Sequence, residues 1–471
     1  MNGLVCVALA VVCVAGWAQS GPQVRTYALE GTVVSPAGVV RDGMVVVRGG
    51  AIEAVGAGLV LPPGTKVVKT GGVIFPGLID LHNHLIWNVF PRWTPKSASG
   101  KPEVVGDRYV WQAMNAYLKA LPDPEQAMVD RGDGCDMERY AEIKAMLGGA
   151  TSVVGSYGPT PADPERDACD RGLARNLDTA SGLYGTALNE EPVMYVVFPF
   201  QISYEEAAQI RADMNSGKVK ALLLHVAEGK DASAALEFAM LKARGFLRPS
   251  VSVIHGVALN KADFEEMAQN GVGLVWSPHS NIALYGVTAD VAAAKAAGVT
   301  MAIAPDWSPS GSDGMVEEMQ YAWAWQQKHA PGLFSAEDYV RMATANPAKL
   351  AAAENRIGAL KAGMAADIVV FPAEGDAAAM ALLKARPGSV MLVMVGGKPE
   401  MGDPEVMQAL LPGKKLETMS VCGYTKALNI MGDTDGESWA EIGGHLTREL
   451  GQMGMKLAEL VGCGGAANPP N

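Results

Sequence analysis

Two histidines, His82 and His84, end an apolar run that spans residues 72–81. The run predicts a buried strand, and Pro76-Gly77 marks its entry. Side chains at positions i and i+2 point to the same side of a strand, so two imidazoles with this spacing can bind one metal ion from a rigid backbone. A His-x-His pair alone is a weak signal, and its weight depends on where the other histidines fall.

The middle of the chain contains the elements that would position such a site. Apolar strands alternate there with helical patterns, which is typical of parallel βα units. Six strand candidates follow the opening one, at residues 150–154, 193–198, 219–225, 251–255, 272–277 and 299–306. An eighth strand, for which we expect residues near 173–177, is needed to close a barrel. The sequence therefore predicts an α/β fold with a (β/α)₈ TIM-like barrel.

In a parallel barrel, functional side chains collect at the carboxyl ends of the strands. His225 and His255 end two of the predicted strands, and Asp306 ends the last one. With His82 and His84 they place five metal-type side chains at one edge. A histidine satisfied within the core would explain any one of them alone, but it does not explain the set.

The outer parts of the chain differ from the middle. Short Val-rich runs separated by Gly and Pro predict strands in residues 25–75 and 361–400, which we expect to form one small β-sandwich domain from both terminal regions. Residues 76–360 would be the barrel, and residues 401–471 a helical C-terminal extension. The segment 87–136 is either a lid over the barrel mouth or the first helical layer with an insertion.

Composition limits the partners of the protein. The chain has 471 residues, 49% of them hydrophobic, with a formal net charge of −12. An acidic chain is a poor partner for nucleic acid, so we expect a small-molecule substrate. A homo-oligomer is compatible with the sequence.

The N-terminus and the cysteines predict an exported protein. Residues 4–18 are apolar and shorter than the roughly 20 residues of a membrane span, so residues 1–18 are interpreted as a signal peptide and the mature protein as periplasmic or extracellular. No Lys or Arg precedes this segment, which keeps an uncleaved anchor open; after cleavage no stable membrane insertion is expected. Four cysteines then remain, an even number that suggests disulfides. Cys135–Cys169 and Cys422–Cys463 are the sequence-local pairings among three connectivities.

The motif set resembles a known family. His82-Asn-His84, His225-Val-Ala-Glu228, the segment after His255, Ser277-Pro-His-Ser-Asn281 and Asp306 are similar to the amidohydrolase superfamily, in the branch of cytosine, guanine and S-adenosylhomocysteine deaminases and triazine hydrolases. The resemblance covers residues 25–400 and implies the same barrel and β-sandwich. Two-metal members have a bridging carboxylated lysine or a carboxylate at the fourth strand. Residues 193–200 contain no Lys, Asp or Glu, which indicates one metal ion.

The resemblance also implies roles for individual residues. His82, His84, His225 and Asp306 would bind one divalent ion, Zn²⁺ first and Fe²⁺ as the alternative. Asp306 would accept a proton from water whose pKa a bound Zn²⁺ lowers to about 7. Glu228 would carry a proton to the ring nitrogen and the leaving group of the substrate. His255 would orient the attacking water and polarise the substrate.

Three further residues are candidates for substrate contact. His279 lies in the turn after the seventh strand, and Ser308 follows the ligand Asp306, although capping the next helix would also explain it. Trp87 suits a flat ring but could equally be a core residue. The predicted activity is hydrolysis at an sp² carbon that breaks a C–N bond, foremost deamination of a nitrogen heterocycle. Hydrolysis of an amide or cyclic amide at the same site is the alternative, and a catalytically silent binding protein is a third hypothesis.

Overall fold

The structure is a computed structural model that describes residues 25–157, 169, 172–179, 192–375, 377–465 and 469. The predicted signal peptide, residues 1–18, lies outside the described residues. The strands in chain order are β1 Thr26–Ser35, β2 Gly38–Arg48, β3 Ala51–Gly56, β4 Lys66–Pro76, β5 Leu78–Ile79, β6 Ala150–Val153, β7 Arg175–Asn176, β8 Val193–Val196, β9 Ala221–Val226, β10 Val251–His255, β11 Gly273–Trp276, β12 Met301–Ile303, β13 Ile368–Phe371, β14 Leu392–Val395, β15 Lys398–Gly402, β16 Glu417–Val421 and β17 Tyr424–Leu428.

The helices occupy the remaining regular segments. They are α1 Arg108–Gln112, α2 Asn115–Ala120, α3 Pro122–Val129, α4 Gly134–Leu147, α5 Tyr204–Ser216, α6 Ala232–Ala243, α7 Lys261–Gln269, α8 Pro278–Tyr285, α9 Val291–Ala297, α10 Met315–His329, α11 Ala336–Ala343, α12 Ala345–Leu350, α13 Met380–Leu383, α14 Pro404–Leu410 and α15 Trp439–Gln452. A short 3₁₀ helix covers Leu85–Val89. Within the described part of the chain, no helix combines the length and apolar character needed to cross a bilayer.

Eight parallel strands, β5 to β12, form the barrel wall. They pair as β5-β6-β7 and as β8-β9-β10-β11-β12. The eighth strand, expected near residues 173–177, is present as β7 and pairs in parallel with β6. The two runs of strands meet beyond β12, where the Asp306 amide donates to the His82 carbonyl at 2.9 Å and the His84 amide donates to the Asp306 carbonyl at 3.1 Å. The predicted α/β barrel is confirmed.

The opening strand is shorter than the sequence indicates. Its barrel pairing covers only Leu78–Ile79, and His82 and His84 follow it instead of ending it. Asn83 pairs with Asp306 as an isolated parallel bridge, which keeps this stretch extended and lets both histidines reach one site. At the entry, a Cβ on Gly77 would lie 2.0 Å from the Thr151 hydroxyl oxygen, so the tight passage from β4 into the barrel requires glycine.

Strands from both terminal regions form the β domain, as expected. All nine belong to one hydrogen-bonded sheet in the order β16-β17-β15-β14-β13-β4-β1-β2-β3. β4 pairs in parallel with β1 and antiparallel with β13, so it joins the N-terminal strands to those of the C-terminal region. Only Gly77 separates β4 from β5, so the chain passes from the β domain into the barrel without an intervening loop.

The expectation of a helical extension over residues 401–471 is wrong in part. Helices α14 and α15 are present, but β16 and β17 form an antiparallel hairpin that extends the β-domain sheet. The hairpin turns at Cys422-Gly423, where both residues have positive φ, 50° and 84°. Such a two-residue turn matches the twist of the flanking strands. The alternating pattern of residues 417–421 is the signal that could have predicted it.

Candidate metal centre and active site

Four histidines and one aspartate meet at the carboxyl ends of the barrel strands. The ligand atoms of His82, His225 and His255 lie within 4.8 Å of one another, and so do those of His82, His84 and Asp306. His82 Nε2 is 3.1 Å from Asp306 Oδ1, and His84 Nε2 is 3.5 Å from the same oxygen. The structure therefore brings together all five of the residues that the sequence placed at strand ends.

Each buried imidazole is oriented by a partner on its Nδ1 atom. His82 Nδ1 is 2.7 Å from the Ser277 hydroxyl, and His255 Nδ1 is 2.8 Å from the Asn281 side-chain oxygen. His225 Nδ1 donates to the Val196 carbonyl at 3.3 Å. A carbonyl can only accept, so the lone pair of His225 lies on Nε2, where a metal ion would bind.

The opposite nitrogens of two rings are placed to bind a cation. The Nε2 atoms of His82 and His225 are buried and have no hydrogen-bond partner. Buried polar atoms are nearly always satisfied, so a converging pair of orphaned imidazole nitrogens beside a carboxylate is the donor set of a divalent metal. Such an ion would take its ligands from the two groups that share His82, namely His225 and His255 on one side and His84 and Asp306 on the other.

Backbone strain is concentrated at the same residues. Ala227, His255 and Asp306 have φ of 57°, 70° and 69°. Positive φ is uncommon for residues with a side chain and costs of order 1–3 kcal/mol when strained. The barrel holds these residues in conformations that an unconstrained chain would leave.

Burial favours the neutral form, which a metal ligand requires, at three of the imidazoles. It lowers the pKa of His84 to about 4, and it lowers the pKa of His225 and His255 below the usual range, helped at His225 by the neighbouring histidines. Burial acts in the opposite direction on Asp306, but electrostatic attraction to the surrounding histidines, His82 first, outweighs it and brings the pKa of Asp306 below its ordinary value. Neutral imidazoles beside an ionised carboxylate are ready to bind a cation.

Glu228 faces the histidines from the loop that follows β9. Its Oε2 lies 3.5 Å from His255 Nε2 and 3.4 Å from the guanidinium of Arg108. Its Oε1 accepts a hydrogen bond of 2.7 Å from the Tyr285 hydroxyl. Burial raises the pKa of Glu228 although His255 and Arg108 oppose this. A carboxyl group with a raised pKa can be protonated nearer to neutral pH, which suits proton transfer.

A cavity of about 370 Å³ opens onto these groups. Its wall contains His84, His225, Glu228, His255 and Asp306, together with aromatic rings and a few polar side chains: Trp87, Trp111, Tyr117, Tyr157, Tyr195, Phe198, Trp307, Gln112, Glu125, Ser156 and Asp178. The rings pack on one another, with centroids 5.4 Å apart for Trp87 and Trp307. The wall is concave and largely aromatic, as in sites for small organic ligands.

The segment 87–136 contributes to this wall. The sequence left two interpretations of the segment open, a lid over the barrel mouth or the first helical layer with an insertion. Trp87, Trp111 and Tyr117 line the cavity, and the last two of them lie in α1 and α2. Helix α4 then leads into β6 and occupies the place of the first barrel helix. The segment therefore contains both an insertion over the barrel mouth and the beginning of the helical layer.

Two sequence candidates lie away from the cavity wall. The His279 ring stacks on Tyr321, with centroids 4.2 Å apart, and its Nδ1 is 3.0 Å from the Ser312 hydroxyl. Ser308 is buried, and its amide donates to the Asn88 side chain at 2.7 Å. Neither residue is part of the lining, so we assign neither of them to substrate, whereas Trp87 does line the cavity.

Several residues at the site were not found from the sequence. Tyr195 lies in β8 with its hydroxyl 3.4 Å from His84 Nε2, and Asp178 accepts from the amides of Gly155 and Ser156. Arg108 and Tyr285 contact Glu228 from α1 and α8. Ser277 and Asn281 lie in a motif that the sequence did single out, but their contacts with His82 and His255 carry no local signal.

Both disulfides join the sequence-local cysteines. Cys135 is bonded to Cys169, and Cys422 to Cys463. The second of these ties the C-terminal tail to the hairpin turn of the β domain. The tail also receives hydrogen bonds from the barrel helix α4, where the side chains of Tyr140 and Lys144 donate to the carbonyls of Ala458 and Glu459.

Comparison with known proteins agrees with the geometry. The amidohydrolase family matches residues 73–399 of the chain. A 5-methylthioadenosine/S-adenosylhomocysteine deaminase of Desulforudis audaxviator is 28% identical over 342 residues, which cover 66% of this chain and 76% of the relative. An adenosine deaminase of Xanthomonas campestris with bound zinc has a TM-score of 0.63 at 20% identity, covering 80% and 92% of the two chains. A variant of a triazine hydrolase has a TM-score of 0.63 at 19% identity, covering 80% and 94%.

The fold and the histidine-aspartate centre define a metal-dependent hydrolase built on a (β/α)₈ barrel with an attached β domain. The match over residues 73–399 makes the assignment more specific: the chain belongs to the amidohydrolase family. The family resemblance seen in the sequence is thereby confirmed. Enzymes of this kind act on small molecules, and the cavity beside the centre has a suitable size and lining.

Proposed function

We propose that this protein is a deaminase that uses one zinc ion to hydrolyse the exocyclic C–N bond of a nitrogen heterocycle. The observation that carries the proposal is the arrangement of the metal-binding cluster, which faces Glu228 across one aromatic-lined cavity. Deamination needs an activated water on one side of an sp² carbon and a proton donor for the ring and the departing amine. The two groups at this site correspond to those two needs.

The residues of the site have separate roles in the proposed reaction. His82, His84, His225 and Asp306 would hold the ion, which when bound lowers the pKa of water so that a nucleophile exists at neutral pH. Asp306 accepts the proton of the attacking water. His255, fixed by Asn281, directs that water and the substrate carbon toward each other. Glu228 delivers its proton to the ring nitrogen, takes up the hydroxyl proton of the added water as the C=O bond forms, and passes that proton to the amine, which leaves as ammonia. The proton held by Asp306 then restores Glu228.

A 6-aminopurine nucleoside is the substrate class that we favour. The wall contains seven Trp, Tyr and Phe rings, among them Trp87, Trp111, Tyr117 and Trp307, against which a flat heterocycle can pack. The curated relative from Desulforudis audaxviator is a deaminase of adenine-containing compounds by its name. The zinc in the superimposed adenosine deaminase supports zinc over iron for this site.

We also propose that the mature protein acts outside the cytoplasm. Two disulfides occur in the described residues, and cytosolic proteins rarely keep such bonds. The apolar N-terminal segment supports the same location. Detection of the processed chain in a periplasmic or secreted fraction of a producing bacterium would test it.

The test of the activity combines metal analysis with product analysis. The purified mature protein is assayed for zinc and iron per chain and for ammonia released from adenosine, 5′-methylthioadenosine, guanine, an amino-triazine and a cyclic amide. One zinc per chain and ammonia from a 6-aminopurine nucleoside, with Glu228→Gln as the inactive control, are the expected results. Turnover of the cyclic amide alone would move the assignment to amide hydrolysis. Two metals per chain would contradict the single-ion site, and a metal-free, inactive protein would contradict the proposal.

A further inference from the structure

The chain segment before and within α1 is attached to the loop that carries Glu228. The Arg108 amide donates to the Glu228 carbonyl at 3.2 Å, and the Lys230 amide donates to the Gly106 carbonyl at 2.7 Å. Asp107 pairs with Gly229 as an isolated bridge. A Cβ on Gly229, whose φ is 152°, would lie 2.6 Å from the Asp107 Cα, so the two backbones approach too closely for any other residue.

Arg108 extends this attachment to side chains. Its side chain is fully buried, at 0% exposure, beside two carboxyl groups. One terminal nitrogen, Nη1, donates to the Val197 carbonyl at 2.7 Å and lies 3.4 Å from Glu228 Oε2. The other, Nη2, donates to the Tyr109 hydroxyl at 3.1 Å and lies 3.7 Å from Glu237 Oε1. The guanidinium thus bridges the end of β8 and the loop after β9.

The second oxygen of Glu228 is held from another direction. Tyr285, the last residue of α8, donates its hydroxyl to Glu228 Oε1 at 2.7 Å. The Trp111 indole in turn donates to the Tyr285 oxygen at 2.8 Å, and the Trp111 ring is part of the cavity wall. Each oxygen of the Glu228 carboxyl group therefore has a buried partner. Arg108 belongs to α1 itself, and Tyr285 is joined to α1 through Trp111.

We propose that Arg108 is a positioning residue that acts through Glu228, with Tyr285 as its counterpart on the other carboxyl oxygen. The carboxyl group of a glutamate rotates about three side-chain bonds, and proton transfer requires it at one place and angle. Arg108 and Tyr285 remove that freedom. The segment 87–136 consequently completes the catalytic arrangement, although none of its residues belongs to a barrel strand. This inference rests on the proton-transfer role of Glu228 in the proposed function.

The geometry explains why an arginine stands at this position. Its two terminal nitrogens diverge in a fixed plane and reach Val197, Glu228, Tyr109 and Glu237 at once. A lysine offers one nitrogen and could keep only part of this set. Arg108→Lys should therefore recover part of the rate that Arg108→Met loses.

The test compares single and double variants under saturating substrate. Arg108→Met should lower kcat by about 10-fold or more, with KM and metal content within about 3-fold of the wild type, because substrate and metal are held by other groups. Tyr285→Phe, which removes one hydroxyl, should lower kcat in the same way by a smaller factor. In a Glu228→Gln background, neither change should lower kcat further, since a residue that acts through Glu228 has nothing left to position.

The control for general loss of packing is Arg244→Met. Arg244 is another buried arginine, 8% exposed, which donates to the carbonyls of Phe200 and Ile202 and does not line the cavity. Its replacement should lower the melting temperature and leave kcat near that of the wild type. If Arg108→Met fails to fold, the same kcat comparison is made with Tyr285→Phe and Arg108→Lys, each alone and in the Glu228→Gln background.

The outcomes separate this inference from the proposed function. Losses that multiply when Arg108→Met or Tyr285→Phe is combined with Glu228→Gln would overturn the positioning role, since independent effects multiply. An increase in KM with unchanged kcat would also overturn it and assign Arg108 to substrate binding. If the wild-type protein releases no ammonia from any heterocycle, the proposed function fails, whatever the variants show.

Discussion

Replacing Glu228 by glutamine removes a titratable proton and little else. The amide has nearly the same shape, so its oxygen can still accept from Tyr285, now 2.7 Å from Oε1. General acid–base catalysis contributes about 10²–10⁴-fold to a rate, which corresponds to roughly 3–5 kcal/mol of transition-state stabilisation. We expect Glu228→Gln to lose at least the lower of these factors.

Metal content and folding should change little in this variant. Glu228 is not in either group of residues whose ligand atoms cluster around His82. Arg108 keeps Glu237 as a partner at 3.7 Å, so its charge is not left alone in the interior. We expect the free energy of unfolding to fall by roughly 1.5–3 kcal/mol, the size of one hydrogen bond to a charged group.

The assay measures ammonia release at saturating substrate, zinc per chain and thermal unfolding on the same preparation. Glu400→Gln is the matched control, because Glu400 is a buried glutamate, 3% exposed, that lies in the β domain and pairs with Lys398. It makes the same chemical change far from the cavity and should keep the wild-type rate. A Glu228→Gln protein that retains its zinc and more than about a tenth of the wild-type turnover would refute the proton-transfer role.

Three further predictions concern other parts of the molecule. Asp306→Ala should lower both zinc content and turnover, the latter by about 10²-fold or more, because the site loses a ligand and a proton acceptor; zinc analysis with ammonia release checks this, and full zinc content would contradict it. Burial raises the pKa of Glu318 to about 8. The folded state therefore keeps a proton that the unfolded chain releases near pH 4.3. Between these two pH values, the stability of the folded state falls by at most about 1.4 kcal/mol per pH unit. Glu318→Gln should therefore gain stability over the wild type as pH rises from 5 to 8 in urea unfolding, and a gap that does not widen would contradict this sign. Replacing Cys422 and Cys463 by alanine opens a bond with a sequence separation of 41 residues and should cost about 4 kcal/mol by the chain-entropy relation, measured by denaturant unfolding; an unchanged midpoint would show that the tail contributes little.

The candidate metal ligands could be predicted because their signal is local. Each of His82, His84, His225 and Asp306 follows or ends an apolar run, and the carboxyl ends of parallel strands necessarily meet at one edge. The barrel, the terminal β domain and the disulfide candidates follow from the same short-range patterns. The hairpin at 417–428 was missed because it lies among helical patterns and its alternation covers only five residues per strand.

The arrangement around the catalytic carboxyl group could only be seen in three dimensions. Arg108, Tyr285 and Trp111 come from helices α1 and α8, 120 and 57 positions from Glu228 for the first two, and no periodicity links them. His279 is a further example: the sequence made it one candidate for substrate contact, and the structure stacks its ring on Tyr321. Strand-end positions are determined by local alternation and burial, and so the amino-acid sequence alone predicted the metal site. Contacts between distant helices depend on how the closed barrel packs its outer layer, and only the tertiary structure determined which side chains hold Glu228.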